Sequence, residues 1–159
     1  MRPVTKKDFD DIYEIYMDKS NNPYLLYEVS DKENFKPVFD GLLKRDAFLA
    51  YEIDNEVAGM CACDYGVART SHVAGLGTLA FKPKFHGKGY AQSFIEEILK
   101  NLISKGFKRI DLWVEADNLK AQKFYQKLGF QEEARIPKYY KRANSEEYVD
   151  EIIMSKIFI

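Results

Sequence analysis

His86-Gly87-Lys88-Gly89-Tyr90-Ala91 stands directly ahead of Phe94, Ile95, Ile98, Leu99, Leu102 and Ile103, apolar residues at helical spacing that Gly106 brings to a stop. A glycine turn at a helix start presents unpaired backbone N–H groups and the positive end of the helix dipole. Glycine also lets the main chain approach an anion with no Cβ in the way. The stretch predicts a phosphate cradle from Gly87 to Gln92. Two common phosphate motifs do not fit it. A P-loop needs a glycine five residues before Gly87 and a hydroxyl after Lys88, where this chain has Lys82 and Gly89. Gly75-Leu76-Gly77-Thr78-Leu79-Ala80 meets the loose G-x-G-x-x-A pattern of dinucleotide folds, but it leads into Phe81-Lys82-Pro83 rather than a helix.

Downstream lie Leu112-Trp113-Val114, Asn118, Ala121, Tyr125 and Gly129-Phe130. The two segments together resemble the GNAT acetyltransferases. The first matches that family's Q/R-x-x-G-x-G/A loop, with His86 where the family usually has Gln or Arg. The second is similar to its L-x-V-x-x-x-N-x-x-A-x-x-x-Y-x-x-x-G-F signature. Shorter runs, Arg69-Thr70-Ser71-His72-Val73-Ala74 and Tyr148-Val149-Asp150-Glu151, resemble the branch that contains L-amino-acid N-acetyltransferases. The resemblance implies acetyl-coenzyme A as cosubstrate. It places the cofactor against Leu79, Ala80 and Phe81, against His86, Gly87, Lys88, Gly89, Tyr90, Ala91 and Gln92, and against Asn118, Ala121, Phe124 and Tyr125. It also implies two strands that splay apart, so that free backbone groups meet the pantetheine arm and the acetyl carbonyl.

The chain has 159 residues, 46% of them hydrophobic and 14% aromatic, enough for the core of one domain spanning 1–159. With 24 basic and 25 acidic residues and no basic stripe, neither nucleic acid nor a membrane surface is an expected partner. No run approaches the roughly 20 apolar residues of a membrane helix, and Met1-Arg2-Pro3-Val4-Thr5-Lys6-Lys7 lacks the apolar stretch of a secretory signal, so a cytoplasmic protein is expected. Cys61 and Cys63, two apart on a strand-like run, point to one face as reduced packing residues, and no metal site is expected.

Thr5 with Asp8, followed by Phe9, Ile12, Tyr13, Tyr16 and Met17, predicts a helix from about Lys6 to Asp18 that Asn21-Asn22-Pro23 ends. Ser30-Asp31-Lys32-Glu33 reads as a capping box ahead of the stripe Phe35, Val38, Phe39, Leu42 and Leu43. The segment between these helices is expected to overhang the substrate. Residues 47–53 and 56–65 flank Asp54-Asn55 as a hairpin, and further strands are expected at 72–81 and 110–114, with a short helix from Asn118 to Leu128 closed by Gly129. Strands at 131–141 and 147–157 complete the pattern. The expected architecture is α/β (α+β), a GNAT-type mixed, mostly antiparallel sheet of six to seven strands flanked by about four helices, with a central parallel pair. An exposed last strand is expected to support a homodimer.

Direct attack on a thioester needs a neutral amine and a proton donor for the departing thiolate, whose free thiol has a pKa of about 8.5. By family analogy Tyr125 is that donor and Asn118 binds the cofactor; otherwise Tyr125 is a core aromatic beside Ala121, Phe124 and Leu128. The strand at 72–81 has no carboxylate where many family members carry a glutamate, leaving Glu28, Asp64, His72, Glu115 or water as the base. An α-amine near pKa 8 is about a tenth neutral at pH 7, a lysine-type amine under about a thousandth. The expected acceptor is therefore an amino acid or other small amine, with Tyr24, Leu25, Leu26, Tyr27, Tyr139 and Tyr140 as candidate pocket residues. Other readings are a noncatalytic acetyl-coenzyme A sensor and a peptide or protein N-terminal acetyltransferase.

Overall fold

A computed structural model describes residues 1–159. In chain order the elements are β1 (Arg2–Pro3), α1 (Phe9–Met17), α2 (Lys32–Leu42), β2 (Ala47–Ile53), β3 (Glu56–Tyr65), β4 (Val73–Phe81), α3 (Tyr90–Ser104), β5 (Arg109–Glu115), α4 (Leu119–Lys127), β6 (Gln131–Lys141) and β7 (Tyr148–Ile157), joined in places by short 3-10 turns. The seven strands form one sheet in the order β1-β2-β3-β4-β5-β7-β6, antiparallel except for the β4–β5 pair. No helix is long and apolar enough to cross a membrane.

Local signals explain most of the elements. Asp54 and Asn55 both take positive φ, 51° and 62°, the left-handed pair that a two-residue hairpin turn requires. Asp8 accepts from both the Thr5 amide and hydroxyl, closing the first helical turn. The helix ends at Met17, within one residue of the expected Asp18, where the backbone turns extended, and its first turn, Lys6–Asp8, is 3-10. Asn21 and Asn22 then donate to the carbonyls of Ile15 and Tyr16, tying the chain back onto the end of α1. The second cap lies one residue later than expected: Asp31, not Ser30, accepts from the Asn34 amide at 2.8 Å. The two-residue β1 was too short to carry a sequence signal.

Two cores lie on opposite faces of the sheet. Ile12, Ile15, Phe35 and Phe39 of α1 and α2 pack on Met60, Ala62 and Ala80, while Phe94, Ile95, Ile98 and Leu102 of α3 pack on Cys61, Cys63, Leu76, Ile110 and Leu112. Both cysteines are reduced and share the α3 face. Leu76 and Ala80 fall in different cores although four residues separate them in one strand. The cause is a bulge: Ala62 pairs with Gly77 and Met60 with Ala80, so Thr78 and Leu79 together oppose Cys61. Thr78 takes φ 54°, a strained value for a β-branched residue.

The final strand corrects one expectation. β7 inserts between β5 and β6 and is paired on both sides, so the exposed edge belongs to β6. The chain doubles back because Ile152 and Met154 carry apolar side chains into the core beside β5, whereas β6 is almost wholly exposed.

Candidate active site

β4 and β5 pair only from Val73/Arg109 to Leu76/Leu112, and both strands then continue without each other. The β5-facing backbone groups of Gly77–Phe81 are left without a strand partner. A cleft of about 630 Å³ opens at that splay. Leu79, Ala80 and Phe81 line one wall, Asn118, Ala121, Phe124 and Tyr125 the other, and His86, Gly87, Gly89, Tyr90, Ala91 and Gln92 the end at the start of α3.

That end presents backbone amides with no partner inside the helix. Helices α2 and α4 are capped by the side chains of Asp31 and Asn118, whereas α3 has no side-chain cap. Its first backbone bond runs from Ser93 to Gly89, so the amides of Tyr90, Ala91 and Gln92 have no intrahelical acceptor. Gly87 and Gly89 take φ 72° and 82°, left-handed values that only glycine adopts freely. Coenzyme A fits these features: a phosphate end, an apolar channel and a strand edge with free amides lie along one cleft.

The structure separates the roles of the loop side chains. His86 Nε2 lies 2.8 Å from the Phe81 carbonyl, which Asn21 also donates to, so the imidazole fastens the loop to the end of β4. Lys88 does not line the cleft; its ammonium lies 5.9 Å from the centre of the Phe85 ring. Ser20, Asn21, Phe85, Lys120, Lys123 and Lys127 line the cleft without having been singled out from sequence. The lysines recur at three- and four-residue spacing, the signal that would have found them. Ser20 and Asn21 arrive there only through the loop that follows α1.

Tyr125 is 9% exposed and packed edge-on between Phe124 and Phe130. Burial pushes its phenol well above its ordinary range, with smaller contributions from Cys61 and Glu115, so it stays protonated at any physiological pH.

A second cavity of about 190 Å³ shares Tyr24 and Leu25 with the cleft and is lined also by Leu26, Thr78, Trp113, Glu115, Tyr139, Tyr140 and Glu151. It forms because the β6–β7 hairpin reaches the α1–α2 segment. Tyr140 Oη donates to the Leu25 carbonyl at 2.6 Å, Arg142 Nε to the Pro23 carbonyl at 2.8 Å, and the Ala143 amide to Glu28 at 2.7 Å. A bulge at Pro137-Lys138-Tyr139 turns the strand there, held by Asp150, which accepts from the Lys138 amide and from Arg135. Tyr27 is not part of the cavity wall.

Of the four base candidates, the structure brings one to this cavity. Asp64 is exposed and paired with Arg45, Glu28 accepts the Ala143 amide, and His72 is exposed at the far end of β4. Glu115 is 8% exposed at the end of β5, and burial pushes its carboxyl up to about 7, with Glu151 adding to the rise and Arg142 opposing it. Glu151, also 8% exposed, stands opposite it in the β5–β7 register.

Residues 9–130 match the acetyltransferase (GNAT) family. The chain belongs to that family. The chain is 30% identical over 130 residues to an uncharacterized N-acetyltransferase of Archaeoglobus fulgidus, covering 79% of this chain and 88% of the relative. It is 31% identical over 137 residues to an uncharacterized N-acetyltransferase of Methanocaldococcus jannaschii, covering 83% of this chain and 60% of that relative, so it spans less than two thirds of the longer protein. The fold also matches the crystal structure of ribosomal-protein-alanine N-acetyltransferase from Brucella melitensis, with TM-score 0.80 at 18% identity, over 99% of this chain and 98% of that one.

Proposed function

We propose that the chain acts as one catalytic domain that moves the acetyl group of acetyl-coenzyme A to a small primary amine by direct attack. The observation that carries this reading is Glu115, a buried carboxyl poised near pH 7 in a small cavity that adjoins the cofactor cleft. Bound in the cleft, the thioester supplies an activated acetyl group. Glu115 removes a proton from the incoming ammonium, so that the neutral nitrogen forms the new C–N bond as the C–S bond breaks. Free amides on the β4 edge accept the charge that develops on the acyl oxygen. Tyr125 hydrogen-bonds the departing sulfur. Its phenol is less acidic than the thiol, so its part is to stabilise the thiolate, which then takes up the proton released by the amine.

A second reading, a peptide N-terminus as acceptor, is favoured by the solvent-facing part of the cavity wall, where Leu26 is 73% and Tyr139 63% exposed and Trp113 is half-exposed. Both readings share the chemistry at Glu115 and Tyr125. The test is release of free coenzyme A from purified protein supplied with acetyl-coenzyme A and a panel of amines, for wild type and Tyr125→Phe. The expected outcome for the variant is a loss of about 100-fold in kcat with acetyl-coenzyme A affinity kept. Unchanged turnover removes Tyr125 from the mechanism, and cofactor binding without turnover on any amine makes the protein a sensor.

A further inference from the structure

Glu151 is a buried carboxylate that no residue answers. It lines the second cavity, makes no ion pair and accepts no side-chain hydrogen bond, and desolvation alone accounts for its raised pKa. Its cross-strand neighbour Glu115 likewise has no cationic partner within bonding distance. Asp117 and Glu28 flank the same corner, and the cation nearest Glu115, Arg142, is spent: its guanidinium forks onto Asp117 at 2.8 and 3.1 Å and donates to the Pro23 carbonyl. Tyr140 shares the cavity wall with Glu115 and Glu151, and the Arg142 guanidinium lies 5.4 Å from the centre of its ring. A carboxylate partly withdrawn from water is stabilised by a counter-charge, and no lysine or arginine lines this cavity to supply one. The missing counter-charge belongs to the acceptor.

Resting on the acetyl-transfer reading above, we propose that Glu151 is a specificity-determining residue: with Glu115 it selects an acceptor whose attacking amine has no carboxylate beside it, as in a peptide α-amine or an amidated amino acid, and rejects the free amino acid. An ammonium entering the cavity meets two carboxylates and aromatic faces, all favourable to positive charge. A free amino acid brings its own carboxylate to within one carbon of that ammonium, against Glu151 and with no unpaired cation to receive it. The aromatic and aliphatic rim of Leu26, Trp113 and Tyr139 then takes the apolar side chain of the acceptor's first residue.

The experiment compares leucine with leucinamide as acceptors, under saturating acetyl-coenzyme A, in wild type and Glu151→Gln. In wild type, leucinamide is expected to exceed leucine in kcat/KM by about tenfold or more. In Glu151→Gln the ratio is expected to fall severalfold toward that set by the two amines' own basicities, a contribution common to both proteins that cancels when the ratios are divided. Acetyl-coenzyme A affinity, measured by calorimetry, serves as the check that the variant is folded. Leucine used as well as leucinamide by wild type overturns the proposal without any variant, and so does an unaltered ratio in a folded Glu151→Gln. If neither amine is acetylated while the thioester binds, the acetyl-transfer reading itself fails.

Discussion

Glu115 owes its poise to position rather than to residue type. At the last position of β5 it sits under the hairpin that carries Tyr140, beside a second carboxylate, and with its nearest guanidinium committed elsewhere. Its carboxyl holds a proton up to about pH 7 in the folded chain against an ordinary value of 4.5. Between those two pH values the folded state binds the proton and the unfolded state has released it, so stability falls as pH rises through the window, by about 3 kcal/mol in all. Glu115→Gln is therefore expected to unfold at a higher denaturant concentration than wild type at pH 8 and at about the same concentration at pH 4. The same variant is expected to lose about 100-fold in kcat, and its rate profile to lose the rise near pH 7 and keep only the limb of the amine itself. A rate profile identical to wild type assigns the base elsewhere. This residue was one of four candidates in the sequence, because a carboxylate at a strand end carries no local mark of what a distant hairpin will lay over it.

At the scale of elements, the end of the cleft proposed for phosphate depends on one helix start that lacks a side-chain cap, preceded by two glycines in left-handed backbone. A Cβ built at Gly89 meets no atom within 4 Å, so Gly89→Ala tests conformation and not crowding. The substitution is expected to cost about 1 kcal/mol in denaturant stability. It is expected to weaken acetyl-coenzyme A binding severalfold by calorimetry, with kcat at saturation unchanged. This loop, α3 after it and the Asn118–Phe130 segment were legible at near-residue precision, because turn glycines, caps and helical stripes are written in contiguous residues. The bulge at Thr78 was not: threonine has no preference for positive φ, and only the pairing of β4 with β3 reveals that two residues face one.

At the scale of the whole molecule, layers are tied together by Lys82, which follows Phe81 and buries its ammonium among Asp11 at 2.7 Å, Glu56 at 2.9 Å and Glu14 at 3.0 Å. One lysine thereby joins α1 to the β3 and β4 end of the sheet. Lys82→Met leaves three carboxylates facing one another and is expected to lower stability by about 3 kcal/mol in a denaturant titration, far more than removal of an exposed lysine such as Lys36. Glu56 is held below its ordinary pKa by Lys84 first and Lys82 second. Its contribution is present above about pH 4.5 and lost as the pH falls through the folded value, so the gap between wild type and variant is expected to narrow in acid. The sequence alone determined the helices, the hairpin and the glycine turn that starts α3, since each follows from residues within a turn or two of one another, and the β4-α3-β5 order of those elements implied the parallel pair. Tertiary structure decided that β7 lies inside the sheet, that Glu115 faces Glu151, and that Arg142 is spent on Asp117. Those outcomes depend on contacts between segments far apart in the chain, whose relative placement is chosen by the burial of two cores and not by any local preference.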